Sequence, residues 1–360
     1  MLSLLILVII LGIILEAVSL KRDPANVELD YALSESAAEP GVPFKVQVIV
    51  TNRSRIPVSY LAIREVFPSS SELPDGIVFR VQYDGFHIEN ICRLNGRQRK
   101  RLILETSIKK RGVHTFRGDS IEFGDFLGFR ETIKNVTNHQ KIVVYPDRIE
   151  CPNLADAITN FYGDIAAKRC LIRDPILTIG SREYTGREPM KDINWLQSAR
   201  RGELMVREFE YNRQLSVNVI LSVDEIGILD EEGLDKCCAI ARTVCEKLVD
   251  KGVPVRFYTN ALLRDKGKKE IWKCEVSSGH SGGLLEALGR VTNRACSSLE
   301  KLLEHTIRES DSGAAFVVIL PESAKHGEEI IDKLRRVTCQ EILLLRAGMP
   351  ATARHEEEAV

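Results

Sequence analysis

The residues best equipped for chemistry lie between Arg182 and Glu210, where arginine, glutamate and aromatic side chains crowd into one stretch. Arg182, Arg200 and Arg207 carry permanently charged forks that can grip a carboxylate through two parallel hydrogen bonds. Tyr184 and Trp195 add flat apolar area with a polar edge, and Trp, Tyr and Arg are the residue types that dominate interface hot spots. Two readings follow. In the more ordinary one, the arginines pair with Glu183, Glu203 and Glu208 and pin the segment to its neighbours. In the other, Arg182, Tyr184, Trp195, Arg200 and Arg207 form a partner-binding surface. Burial or exposure of Arg182, Trp195 and Arg200 separates them.

Catalytic patterns are sparse. The sequence holds no G-x-x-x-x-G-K-[ST] loop, no H-E-x-x-H helix and no G-x-S-x-G elbow, so Walker-type nucleotide hydrolysis and the common hydrolase sites are not expected. Gly279-His280-Ser281-Gly282-Gly283 precedes a helical pattern, where backbone N–H groups can hold an anion, yet no lysine accompanies it. His280 and Ser281 are adjacent and so do not face each other as base and nucleophile. Cys237 and Cys238 are neighbours on a helix and point apart, which makes a poor metal pair. No cofactor is expected. The 50 basic and 51 acidic side chains nearly cancel, so no global pull toward nucleic acid is expected either. The nine cysteines are odd in number and lack CxxC pairs, which predicts reduced, mostly buried thiols in a cytosolic compartment.

The elements that must position these residues read as follows. Residues 1–20 are apolar apart from Ser3, Glu16 and Ser19, with Lys21 and Arg22 directly after them. Twenty helical residues span about 30 Å, the thickness of a bilayer core, and predict a transmembrane anchor. The basic pair places the long C-terminal part in the cytoplasm, as a single-pass protein of the cell membrane. Residues 25–146 read as a β-sandwich-like domain, with strands at 44–51, 59–66, 77–83, 102–108, 114–117 and 142–145. Arg97 to Arg101 forms a basic run in a hairpin there. A connecting segment, 147–214, carries the Arg/Glu cluster.

From 215 to 347 strand and helix patterns alternate. Val217–Val223 is a compact apolar run, 235–251 shows a clean helical stripe, and Gly252 and Pro254 follow as stop signals. Further strands are expected at 255–258, 271–276, 315–320 and 341–345, with helices at 284–291, 299–307 and 328–336. Alternation with buried strands predicts a doubly wound parallel sheet. The fold class expected for the chain is therefore α/β: a transmembrane helix, a β-sandwich-like domain, and a doubly wound domain. An acidic tail, 348–360, is expected to be disordered.

Arg182-Glu183-Tyr184, Ile193-Asn194-Trp195, Ala199-Arg200 and Arg207-Glu208-Phe209-Glu210 together resemble the signature of the domain-of-unknown-function 58 family. Arg111-Gly112 and Asp125-Phe126-Leu127-Gly128-Phe129 look like two further elements of it. Arg187-Glu188 stand where the family has a Gly-Asp pair, and Asn194 where it has Asp. The resemblance implies an N-terminal membrane segment, a β-rich domain and a C-terminal domain similar to the von Willebrand factor A fold. It also implies a role beside MoxR-type AAA+ ATPases in assembling or maturing other proteins. Such a C-terminal domain can bind a divalent metal through a D-x-S-x-S loop, a Thr and an Asp. Here Asp224 is followed by Glu225-Ile226-Gly227-Ile228, Leu284 replaces the Thr, and Leu320-Pro321-Glu322 replaces the Asp. Asp224 is then a vestigial position, and no bound metal is expected.

The function expected from these readings is a membrane-anchored, non-enzymatic accessory protein that binds protein partners, a MoxR-type ATPase among them. The alternatives are a metal-dependent adhesion or ligand-binding module and a hydrolase with an unrecognised site.

Overall fold

The computed structural model describes the chain except for residues 1–5, 8, 11, 15, 18–25, 125–130, 170–177, 210–214, 225–229, 268–269, 312, 325–326, 339–340 and 348–360. The chain divides into two compact units. One holds Met1–Asp147 with Leu288–Arg290, and the other holds Arg148–Ala287 with Val291–Val360.

The first unit is built from β1 (Val27–Leu33), β2 (Ala37–Ala38), β3 (Phe44–Asn52), β4 (Val58–Phe67), β5 (Ser71–Glu72), β6 (Phe79–Gln82), β7 (Gly85–Leu94), β8 (Arg99–Ile108), β9 (Gly112–Gly124), β10 (Glu131–Asn135) and β11 (His139–Val144). They form a four-stranded sheet in the order β1-β3-β8-β5 and a larger one in the order β2-β11-β9-β4-β7-β6, with β10 also on β9. Side chains alternate across each strand, so Phe44, Val46, Val48 and Val50 of β3 share a face and enter the core with Leu61, Ile63 and Phe67 of β4. Phe116 fills the centre, edge-on to Phe67 at 4.9 Å and to Phe44 at 5.8 Å between ring centroids. The β6–β7 hairpin closes on Gly85, whose φ of 141° and close approach to the Phe67 carbonyl leave no room for a side chain.

The second unit contains α1 (Pro152–Arg169), β12 (Thr178–Glu183), α2 (Trp195–Arg201), β13 (Met205–Phe209), β14 (Val217–Leu221), α3 (Glu231–Asp250), β15 (Val255–Thr259), β16 (Ala261–Leu263), β17 (Trp272–Val276), α4 (Gly282–Arg290) apart from its last three residues, β18 (Val291–Ala295), α5 (Leu299–Glu309), β19 (Ala315–Leu320), α6 (Gly327–Thr338) and β20 (Ile342–Arg346). Its central sheet runs β17-β15-β14-β19-β20; β14 is parallel to β15 and β19, β19 is parallel to β20, and β17 is antiparallel. Ile220, Tyr258, Phe316 and Val318 meet Leu302, Leu303, Ile331 and Leu334 of α5 and α6. The helix α3 packs on β14, β15 and β19, burying Cys237, Cys238 and Cys245 with Ala241 and Val244. Asp230 caps α3 by accepting from the Gly233 N–H at 2.8 Å. The seven cysteines among the described residues carry no disulfide.

The expected α/β class, with a transmembrane helix leading to a doubly wound domain similar to von Willebrand factor A, is corrected. Strand outweighs helix, 42% against 29%, so the chain is mostly β. The reason is the linkage between strands. A parallel pair needs a long crossover, whereas tight turns join antiparallel neighbours. Parallel pairing is confined, among the described residues, to the four strands above and to the two-residue β2 against β11.

The transmembrane helix is corrected as well. Of residues 1–20, only 6, 7, 9, 10, 12–14, 16 and 17 are described, and these are helical. No helix among the described residues is long and apolar enough to cross a membrane; a bilayer core takes about 20 residues. The rest of that segment, Asp125–Phe129 and the acidic tail lie outside the described residues.

Candidate functional site

The cluster around Arg182 folds as a small module of its own. The strands β12 and β13 pair antiparallel, with Glu183 opposite Met205 and Ser181 opposite Arg207, and the Tyr184 N–H donates to the Leu204 carbonyl at 2.9 Å. The helix α2 begins at Asn194, whose Oδ1 accepts from the Gln197 N–H at 3.2 Å while its Nδ2 donates to Ser181 Oγ at 2.9 Å. An N-cap carbonyl oxygen of this kind satisfies one of the N–H groups that a helix start leaves open. The helix ends at Gly202, in the left-handed region with φ of 78°. Between the caps, Ser198 stitches helix to strand: its Oγ accepts from the Met205 N–H at 2.9 Å and donates to the Asn194 carbonyl at 2.8 Å.

Ile193, Met205 and Val206 of this scaffold are buried, but several of its large apolar side chains lie outside. Trp195 is 61% exposed and Leu196 is 66% exposed, with Met190 and Leu204 exposed as well. The inward-facing residue of α2 is Ser198. Leu196 and Arg200, four apart, share the face turned away from the sheet. The three arginines of the sequence reading are all exposed, and Tyr184 is half-buried.

The ion pairs differ from those expected. Arg182 Nη2 meets Glu188 Oε1 at 2.7 Å, and its other contact is the Glu183 carbonyl oxygen, not the Glu183 carboxylate. Glu188 also accepts from the Thr185 hydroxyl at 2.8 Å and from the Thr185 N–H at 3.1 Å. The Thr185 hydroxyl foremost, then the Arg182 guanidinium, hold its carboxyl down at about 2. Arg200 and Arg207 have no carboxylate partner among the described residues. Geometry therefore takes Arg182 into a local ring with Glu188 and Thr185, and leaves Arg200 open one turn from Leu196 on α2 and Arg207 open on β13.

Asp224 sits elsewhere, past the C-terminal end of β14. Its Oδ2 accepts from the Leu299 N–H at 3.1 Å and so caps α5. Beside it lies a cavity of about 170 Å³, lined by Ser222, Ser298, Glu300 and apolar residues of β19 and α6. Behind Asp224 is Asn260, fully buried. Its Oδ1 accepts from the Val223 N–H at 2.9 Å, and its Nδ2 donates to Ser222 Oγ at 3.2 Å and to the Ser297 carbonyl at 2.8 Å. Leu284, at the position compared with a threonine, is a buried core residue of α4. No group of three or more His, Cys, Asp or Glu among the described residues is placed to hold a metal ion. Ser222, Asn260 and Ser298 escaped the sequence reading because they lie far apart in the chain and follow no short motif. The one signal was Ser222, polar at the end of an apolar strand.

The second unit also has a charged cleft of about 500 Å³ around Arg256, Lys273 and Glu309. Its cations are already engaged, Lys273 by Glu309 at 2.8 Å and Arg256 by Asp311 at 2.9 Å. His280 donates its backbone N–H to the Ser277 carbonyl in a turn and is exposed.

No family model matches the chain, and no curated protein matches it. Among solved structures, it is similar to the CARDB domain of the PF1109 protein from Pyrococcus furiosus, at 10% identity over 33% of this chain and 91% of that one, with a TM-score of 0.23. It is also similar to a cohesin module from a Clostridium perfringens family 33 glycoside hydrolase, at 9% identity over 32% and 96%, with a TM-score of 0.24. A non-cellulosomal cohesin from Archaeoglobus fulgidus gives 17% identity over 32% and 91%, with a TM-score of 0.24. Likeness this slight carries no argument about function. Nothing in these comparisons ties the chain to the domain-of-unknown-function 58 family or to the von Willebrand factor A fold.

Proposed function

We propose that the chain is a non-enzymatic accessory protein that binds protein partners through α2 and the β12–β13 ribbon. The observation that carries this reading is the inverted helix: α2 turns Trp195 and Leu196 to water and Ser198 to the protein. A surface helix ordinarily does the opposite, because burying a large apolar side chain is worth about 1.5–3 kcal/mol. Caps at both ends and the Ser198 stitch hold this unfavourable presentation in place, and a partner that covers it recovers the burial. Arg200, open one turn from Leu196, favours a partner surface that is apolar at its centre and carries carboxylates at its rim. In this reading the partner is engaged in assembly or maturation of other proteins, and a MoxR-type AAA+ ATPase is one candidate.

The test is retention of a purified MoxR-type ATPase on the immobilised full-length chain, with and without nucleotide, compared with a Trp195→Ala/Leu196→Ser double variant. The expected result is retention by the parent and loss of at least tenfold in the variant, with the melting temperature unchanged. No retention by either sinks the ATPase as partner. Equal retention by both sinks the assignment of the surface.

A further inference from the structure

The first unit presents a second surface that no motif announced. The strand β6 ends the order of its sheet; it pairs with β7 on one side, Phe79 opposite Ile88, Arg80 opposite His87 and Val81 opposite Phe86. Every residue of it is exposed. Proteins ordinarily protect such an edge with charges, prolines, bulges or a covering loop, because its free N–H and C=O groups are a template for another strand. Here the edge is apolar: Val81 is 70% exposed and Val78, just before it, 86%. Phe79 and Val81 lie on the inner side of the sheet, in line with the buried Ile88, and Phe79 leans on Phe86 at 5.0 Å between centroids. Val78 and Val81 stay mostly open to water.

We propose that β6 is a docking edge that takes an extended segment of a partner protein by strand addition. Two features of the edge define that segment. Alternation along a strand means that apolar residues of the partner fall beside Phe79 and Val81, on the inner side. The residue between them falls beside Arg80 on the outer side. Arg80 is exposed with no partner among the described residues, and around it His87 and Arg117 already share the single carboxylate of Asp84. The one carboxylate of the β6–β7 turn is thus already engaged, and the partner residue placed beside Arg80 is acidic. A second copy of this chain fits less well. A twofold antiparallel pairing centred on Arg80 sets like charges directly opposite, which is destabilising, and one centred on Val81 sets Arg80 opposite Gln82, so neither gives Arg80 a carboxylate.

The probe is a capped, fluorescein-labelled peptide, Thr-Thr-Val-Glu-Val-Thr-Thr, titrated against the full-length chain by anisotropy, beside a version with Lys in place of Glu. Saturable binding of the Glu peptide is expected, with the Lys peptide at least tenfold weaker. In Arg80→Glu the preference inverts, and Val81→Pro, which removes a backbone donor, abolishes binding of both. Circular dichroism shows whether Val81→Pro still folds; if it does not, the inversion in Arg80→Glu decides alone. Absence of saturable binding, or equal affinity for the two peptides, overturns the proposal. A concentration-dependent dimer that Val81→Pro or Arg80→Glu dissolves overturns it in favour of self-pairing.

Discussion

Glu65 offers the sharpest test of the first unit. It sits on β4 in phase with Leu61, Ile63 and Phe67, so its carboxyl enters the core of the sandwich, where it is 1% exposed. Asn90 Nδ2 donates to its Oε2 at 3.1 Å, and the Tyr31 hydroxyl lies beside it. Burial dominates these two donors and raises the carboxyl from 4.5 to about 7. The folded state therefore holds its proton where the unfolded state has lost it, and stability falls as pH rises from 4.5 through 7. At about 1.4 kcal/mol for each pH step, the loss approaches about 3 kcal/mol once the pH exceeds 7. Glu65→Gln keeps the shape and an oxygen that accepts from Asn90 but cannot ionise. Urea unfolding of both proteins, from pH 4.5 to 8, is the assay. The free-energy difference between them is expected to shift by about 3 kcal/mol toward the Gln variant across that range. Subtracting one curve from the other removes the opposite slope of carboxylates held low by partners, such as Asp84 and Glu246. A difference that stays flat with pH refutes the reasoning.

Three further outcomes follow from geometry already described. Gly85→Ala is expected to cost about 2 kcal/mol or more in chemical unfolding, since its φ is closed to other residues and the Phe67 carbonyl occupies the space of a Cβ. Asn194→Ala removes the α2 cap and is expected to cost about 1 kcal/mol, read as faster amide exchange over α2 and β13, whereas Asn194→Asp keeps the acceptor and most of the protection. Asp224→Ala removes the α5 cap and is expected to lower the melting temperature by a shift that is the same with and without millimolar Mg²⁺. A stabilisation by Mg²⁺ in the parent that vanishes in the variant would instead assign the carboxylate to a cation.

Parts of this architecture could be read directly from the residues. The apolar run Val217–Val223 contains β14, whose five residues are all buried, because a strand covered on both faces has no polar side to show. The stripe over 235–251 marks α3, but the helix starts a turn earlier, at Glu231, since Glu231, Glu232 and Gly233 are polar and hide the beginning. The strand read at 114–117 is one end of the thirteen-residue β9; Gly118, Asp119 and Ser120 look like a turn but form an irregularity within the strand, where Gly118 and Ser120 pair with Glu65 and Arg64 of β4 and Asp119 is passed over. The helix α1 was lost in the connecting segment, although Leu154, Ala157, Ile158, Phe161 and Ile165 make a helical stripe beginning just after Pro152.

The site is the least legible part, for a physical reason. Trp195 and Leu196 look like any apolar pair, and only the caps at Asn194 and Gly202 rotate them outward. Burial of Glu65 beside Asn90 depends on two strands meeting in register, a relation that no local pattern contains. Glu65 did leave one trace, its parity with three core residues.

Asn260 has a consequence for chemical fidelity. Its two terminal atoms differ by one element, and the fold distinguishes them completely: the oxygen faces a donor, and the nitrogen faces two oxygens. Conversion to aspartate, a change of one heavy atom, would set an oxygen against the Ser297 carbonyl oxygen and bury a charge at a place water does not reach, with only the Ser222 hydroxyl able to turn and donate. The junction of β14, β15 and the start of α5 thus checks the identity of a single nitrogen. A chain that ages there loses the anchor for all three at once.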